Sequence, residues 1–164
     1  MVKIEKLLQE GKLSRIGELE LERYTNFFKH SYLDNFRHGQ AVLKTFPRWS
    51  IISGYYAMHD ITKLLLAKQF RLKVELEVYA TTIKVLEEVV KNQELLGMLK
   101  KGYHEFISLA NDLAEAKKER VKSQYYTGSE YLDGEYKNRA HLFMQDVVEP
   151  FLKKINLLLG EKHD

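Results

Sequence analysis

The sequence predicts an all-α protein, an up-and-down bundle of about five helices, and three observations carry that expectation. Apolar residues recur at three- and four-residue spacing along most of the chain, which is the period of a helix with one buried face. Only 2 prolines and 9 glycines interrupt the 164 residues, a balance that favours helices over turn-rich β architecture. Hydrophobic residues make up 45% of the chain and charged residues 30%, enough to fill a core and to coat it.

The elements follow in order. Ile4, Leu7 and Leu8 predict a short helical start that ends near Gly11. A first long helix is expected from about 18 to 44, with Leu21, Tyr24, Phe28, Tyr32 and Phe36 facing the core and Pro47 stopping it. The second, about 48–69, has apolar residues over most of its circumference, including Trp49, Ile51, Ile52, Tyr55, Tyr56, Met58, Ile61 and Leu64 to Leu66; such a helix is buried all round. Gly54 and Ala57 leave room for a neighbouring backbone. From 75 to 92 one face is apolar (Tyr79, Ile83, Leu86, Val90) and the other wet (Glu77, Thr81, Lys84, Glu88, Lys91). A helix from 95 to about 126 carries Leu99, Tyr103, Phe106, Ala110 and Leu113 in register. Residues 127–134, TGSEYLDG, read as a loop. A last helix, about 135–159, carries Ala140, Phe143, Val147, Phe151, Ile155 and Leu158. Pro150 inside it removes one backbone hydrogen bond and predicts a kink near Asp146.

No linker, single-sign run or internal repeat divides the chain, so residues 1–164 read as one domain. The absence of cysteine leaves no thiolate metal site, disulfide framework or cysteine nucleophile, and a reducing cytoplasm fits. No segment resembles a secretory signal or a membrane span. The net charge of +3, from 26 basic and 23 acidic residues, is too small to mark a nucleic-acid binder by itself.

Motifs narrow the chemistry further. The six histidines show no HxxxH or HxH spacing, and His30 and His38 lack bracketing acidic ligands, so no metal and no cofactor is expected. There is no Gly-rich phosphate loop and no GxSxG. Arg139 and His141, two apart on a helix, point in nearly opposite directions and do not form a couple. His59 and Asp60 stand inside the most apolar helix, where a polar pair must find partners, reach a cavity or line a subunit interface.

The pattern breaks at 116–126, AKKERVKSQYY. Arg120 falls in line with Leu113, where an apolar residue is expected. Either it stacks on tyrosines or pairs with a carboxylate such as Glu119 or Asp60, or it holds phosphate in a site to which Lys117, Lys118 and Lys122 add positive potential.

The stretch 50–68, SIISGYYAMHDITKLLLAK, resembles the second helix of HEPN domains (higher eukaryotes and prokaryotes nucleotide-binding), with their Tyr-Tyr-Ala-Met core and Leu-rich continuation. Arg120, Ser123, Gln124 and Tyr125 resemble the later helix of the branch that reads Arg-x-x-(Ala/Ser)-x-Tyr in place of the ribonuclease Arg…His motif. The resemblance covers roughly 19–159, with 2–11 as a short helical extension. It implies a homodimer packed along the Arg120 helix and the second helix, with a cleft for nucleotide or RNA lined by Arg120, Tyr125, Tyr126, Lys117, Lys122, His59 and Asp60. It also implies a minimal nucleotidyltransferase as partner, in a toxin–antitoxin-like pair. The catalytic candidates are Arg120 and Tyr125. The family's catalytic histidine is here Tyr125, and a tyrosine with a pKa of about 10 is a poor general base at neutral pH. Val121 replaces the polar residue that usually follows the arginine. A binding module is therefore expected, with a metal-independent endoribonuclease, assisted by Tyr125 or His141, or a purely structural dimer as alternatives.

Overall fold

The computed structural model describes the backbone of residues 2–122 and 129–160 and the side chains of 3–112 and 134–160. Within them the order is α1 (Val2–Gln9), β1 (Leu13–Arg15), α2 (Glu18–Ala41), α3 (Pro47–Phe70), β2 (Leu72–Val74), α4 (Val78–Val89), α5 (Gln93–Lys122), α6 (Ser129–Phe143), a π-helical turn (Met144–Val148) and α7 (Glu149–Leu159). The all-α expectation holds at that level. The last three elements form one continuous helical run. No helix among the described residues is long and apolar enough to cross a membrane.

Helix α3 is the axis on which the others pack, because it is apolar on nearly every side. Ile51, Ala57, Met58, Ile61 and Leu66 are all completely buried. Pro47 stands at its first turn, where a missing N–H costs nothing; it does not stop α2 as expected, since α2 already ends at Ala41. The expected all-round burial is broken by Trp49 and Tyr56, 59% and 44% exposed, and by half-buried Ile52. The main core joins α3 to Leu86 of α4, Leu95, Leu96 and Leu99 of α5, and Phe143, Val147, Phe151 and Ile155 of the last run. Tyr32 of α2 reaches α7 through a hydrogen bond from its hydroxyl to Asn156 Oδ1, 3.3 Å, where both residues are buried.

The antiparallel pair β1–β2, with Leu13 opposite Val74 and Arg15 opposite Leu72, was not expected. It draws the N-terminal extension into a second core made by Leu7, Leu13, Leu66, Leu72, Val74 and Val85. Helix α4 consequently begins at Val78 rather than near 75. Thr81, expected on its wet face, is buried; its hydroxyl donates to the Leu76 carbonyl at 2.8 Å, which satisfies the polar group there.

Three further expectations are corrected. On α5 the buried position is Leu109 and Ala110 is exposed; on α7 it is Leu159, with Leu158 44% exposed. Residues 129–134, read as loop, form the first turns of α6; one glycine in a helix costs only about 1 kcal/mol. Residues 127–128 of that loop lie outside the described residues. The disturbance expected from Pro150 takes the form of the π-helical turn: the Glu149 N–H bonds to the Met144 carbonyl, five residues back. Gly54 faces side chains of this turn rather than a backbone, and Gly39 faces Met144 from α2.

Candidate functional site

One face of α3, at three- and four-residue spacing, runs from exposed Trp49 through half-buried Ile52 and exposed Tyr56 to buried His59 and half-buried Lys63. On one side α2 flanks it. His38 Nδ1 and Ser53 Oγ share a hydrogen bond of 2.7 Å. Ser31 Oγ donates to Asp60 Oδ2 at 2.6 Å and Asn35 Nδ2 to the same oxygen at 3.1 Å. Asp60 is 7% exposed, and burial raises its carboxyl above the usual carboxylate range while the two donors pull it back. Its role in this geometry is to tie α3 to α2.

On the other side stands α5. Phe106 stacks on Tyr55 at 4.5 Å and 18° and meets Tyr56 edge-on at 5.8 Å. Tyr103 stacks on Tyr79 of α4 at 3.5 Å. His59, 5% exposed, has the Tyr55 ring 5.8 Å away. Burial, reinforced by the nearby Lys63 charge, pushes its imidazole down to about 4, so at neutral pH it is an uncharged ring.

His59 and Asp60 are therefore neighbours that serve different surroundings, and neither offers a charge to open surface. Lys117, Arg120 and Lys122 belong to α5, but their side chains lie outside the described residues, as do Tyr125 and Tyr126 entirely. His30 bonds through Nδ1 with the Asn26 carbonyl at 2.8 Å. Among the described residues, no three His, Asp or Glu side chains come together as a metal site.

One polar cluster was missed by the sequence reading. Arg139 of α6 donates through Nη2 to Glu105 Oε2 at 3.2 Å and Ser108 Oγ at 3.1 Å, and through Nη1 to Asp112 Oδ2 at 3.2 Å. Tyr136 Oη donates to the same Asp112 oxygen at 2.9 Å. The Arg48 guanidinium lies 5.5 Å from the Tyr136 ring centre. Glu105, Ser108 and Asp112 repeat at helical spacing on α5, a signal available in the sequence. Arg139 is thus occupied in clamping α6 to α5, whereas His141 is exposed.

What the described part of the site offers is two exposed aromatic rings, Trp49 and Tyr56, with half-buried Phe106 beside Tyr56, bordered by hydrogen-bonding groups already held in place. Such side chains can pack against apolar surface or stack on planar rings. No family model matches the chain, and no curated protein or solved structure matches it either.

Proposed function

We propose that the chain is a dimerising binding and interaction module of HEPN type, whose cleft receives a nucleotide, RNA or a minimal nucleotidyltransferase partner, as in a toxin–antitoxin-like pair. The observation that supports this reading best is the exposure of two large aromatic side chains, Trp49 and Tyr56, on the helix that forms the centre of the core. Aromatic side chains are enriched where surfaces meet, because each buries a large area at little entropic cost. Half-buried Phe106 lies beside Tyr56 on α5, the helix that also carries Arg120. In this proposal two copies meet along α3 and α5, and Arg120, Tyr125 and the adjoining lysines supply the phosphate-holding part of the cleft.

Light scattering and RNA binding test the proposal together. The wild type is expected to have a dimer mass at micromolar concentration, and Trp49→Ala combined with Tyr56→Ala should shift it toward monomer while the helical circular dichroism stays. Arg120→Ala should change stability by less than about 1 kcal/mol and weaken RNA binding, more at low salt than at high salt. A wild-type monomer would remove the composite cleft. Metal-free cleavage of RNA that disappears in Arg120→Ala would replace the binding module with the endoribonuclease.

A further inference from the structure

The face of α2 that points away from α3 carries a charge pattern that reads as its own complement when reversed. Arg23, Phe27, His30, Asp34 and Arg37 follow one another at four- and three-residue spacing, the seam of a helix that packs against another. Phe27 is 63% exposed, and a shallow depression of about 530 Å³ runs along this face between Arg23 and Asn35. Arg23, Asp34 and Arg37 have no side-chain ion pair or hydrogen bond among the described residues. Arg23 and Asp34 are also too far apart along the helix to pair with each other. Ser31 and Asn35, at the edge of the face, are held in place by Asp60.

From this pattern we infer that the outer face of α2 is a self-association surface, on which α2 of a second copy lies antiparallel about a two-fold axis between Phe28 and Lys29. In that arrangement Arg23 meets Asp34 of the partner subunit, and Asp34 meets the partner's Arg23. Glu20, one of whose oxygens is held by Lys73 at 3.2 Å, faces the partner's Arg37. Phe27 lies against the partner's His30. A two-fold contact is isologous, so each of these pairings occurs twice. Parallel packing in register would instead set Arg23 on Arg23 and Asp34 on Asp34. The 24 residues of α2 span about 36 Å, a seam long enough for all of these pairs. One mostly polar helix seam is a small interface, so the contact is reversible and sensitive to salt. It uses a different face from the α3 stripe and holds whether the associating unit is a monomer or a dimer.

Sedimentation velocity at protein concentrations up to about 1 mM tests it. At about 0.1 M salt, where charges act over about 10 Å, the average mass should be at least twice that at about 1 M, where they act over about 3 Å; a dimeric unit carries two such faces and can exceed the doubling. Arg23→Asp places two carboxylates opposite each other, and Asp34→Arg places two guanidiniums opposite each other. Each variant alone should weaken the association by about tenfold or more. An equimolar mixture of the two should recover it, because each chain then supplies the charge that the other lacks at both ends of the seam. Single variants that associate like the wild type, a mass independent of salt, or a mixture that stays dissociated would each overturn the inference.

Discussion

A methyl group on Gly54 would stand 2.7 Å from Sδ of Met144, inside the distance at which two such atoms can coexist. The same methyl would lie 2.9 Å from Cγ2 of Val148, so α3 and the π-helical turn are fitted to each other at this glycine. Gly54→Ala gains about 1 kcal/mol of helix propensity but overpacks a closed site, which costs about 1–3 kcal/mol. The net expectation is a lower denaturant midpoint. Gly97 of α5 has nothing within 4 Å, and Gly97→Ala is expected to raise the midpoint, by about 0.4–1 kcal/mol in stability. A Gly54→Ala protein as stable as the Gly97→Ala protein would show that Met144 can swing aside.

His59 makes stability fall with acid. Its folded value of about 4 lies below the ordinary 6.5, so between those values the unfolded chain holds a proton that the native chain refuses. Stability should therefore decrease as pH drops from about 6.5 towards about 4, by up to about 3 kcal/mol. Asp60 acts in the opposite sense. Its raised folded value lets the native state keep a proton that the unfolded state has lost, so in that window stability falls as pH rises. Urea titrations of His59→Gln across pH 4 to 7 should show a flatter profile than the wild type, and Asp60→Asn a steeper one. An unchanged slope in His59→Gln would place the titration elsewhere.

The Arg139 clamp predicts coupling. Arg139→Ala should cost about 1–3 kcal/mol, as expected for hydrogen bonds to charged groups, and Tyr136→Phe about 1 kcal/mol. Both residues donate to one oxygen of Asp112, so the double variant should differ from the sum by at least about 0.5 kcal/mol. Strict additivity in the double-mutant cycle would mean that the oxygen is not shared in solution.

The helices were legible because each has a buried face long enough for its period to repeat, as in Tyr24, Phe28 and Tyr32 of α2. The strands Leu13–Arg15 and Leu72–Val74 were not, since three residues give alternation no room to declare itself and the pairing joins distant parts of the chain. On α5 the expected phase holds at Leu99 and has slipped by one residue at Leu109, found inside where Ala110 was expected. Around the candidate site, periodicity identified α3 as the central helix but could not tell that Trp49 and Tyr56 face outward, because exposure depends on where α2 and α5 stop covering it. The partners of Asp60 were within reach of inspection: Ser31 and Asn35 sit one turn apart beside the core stripe of α2. Arg139 was set aside because it was weighed only against His141 on its own helix, while its partners lie on α5.

The π-helical turn at Met144–Val148 has a consequence for the whole run from 129 to 159. A π turn is equivalent to one residue inserted into an α-helix, and one residue is a rotation of about 100°. Both halves pack on α3, but the polar groups on either side of the turn are directed to different neighbours. Before the turn, Arg139 is addressed to Glu105, Ser108 and Asp112 on α5. After it, Asn156 is addressed to Tyr32 on α2 and the Leu158 carbonyl to Gln69 on α3. The surplus residue lets a single rod satisfy both sets of hydrogen-bond partners, and a chain one residue shorter at this point would have to give up one of them.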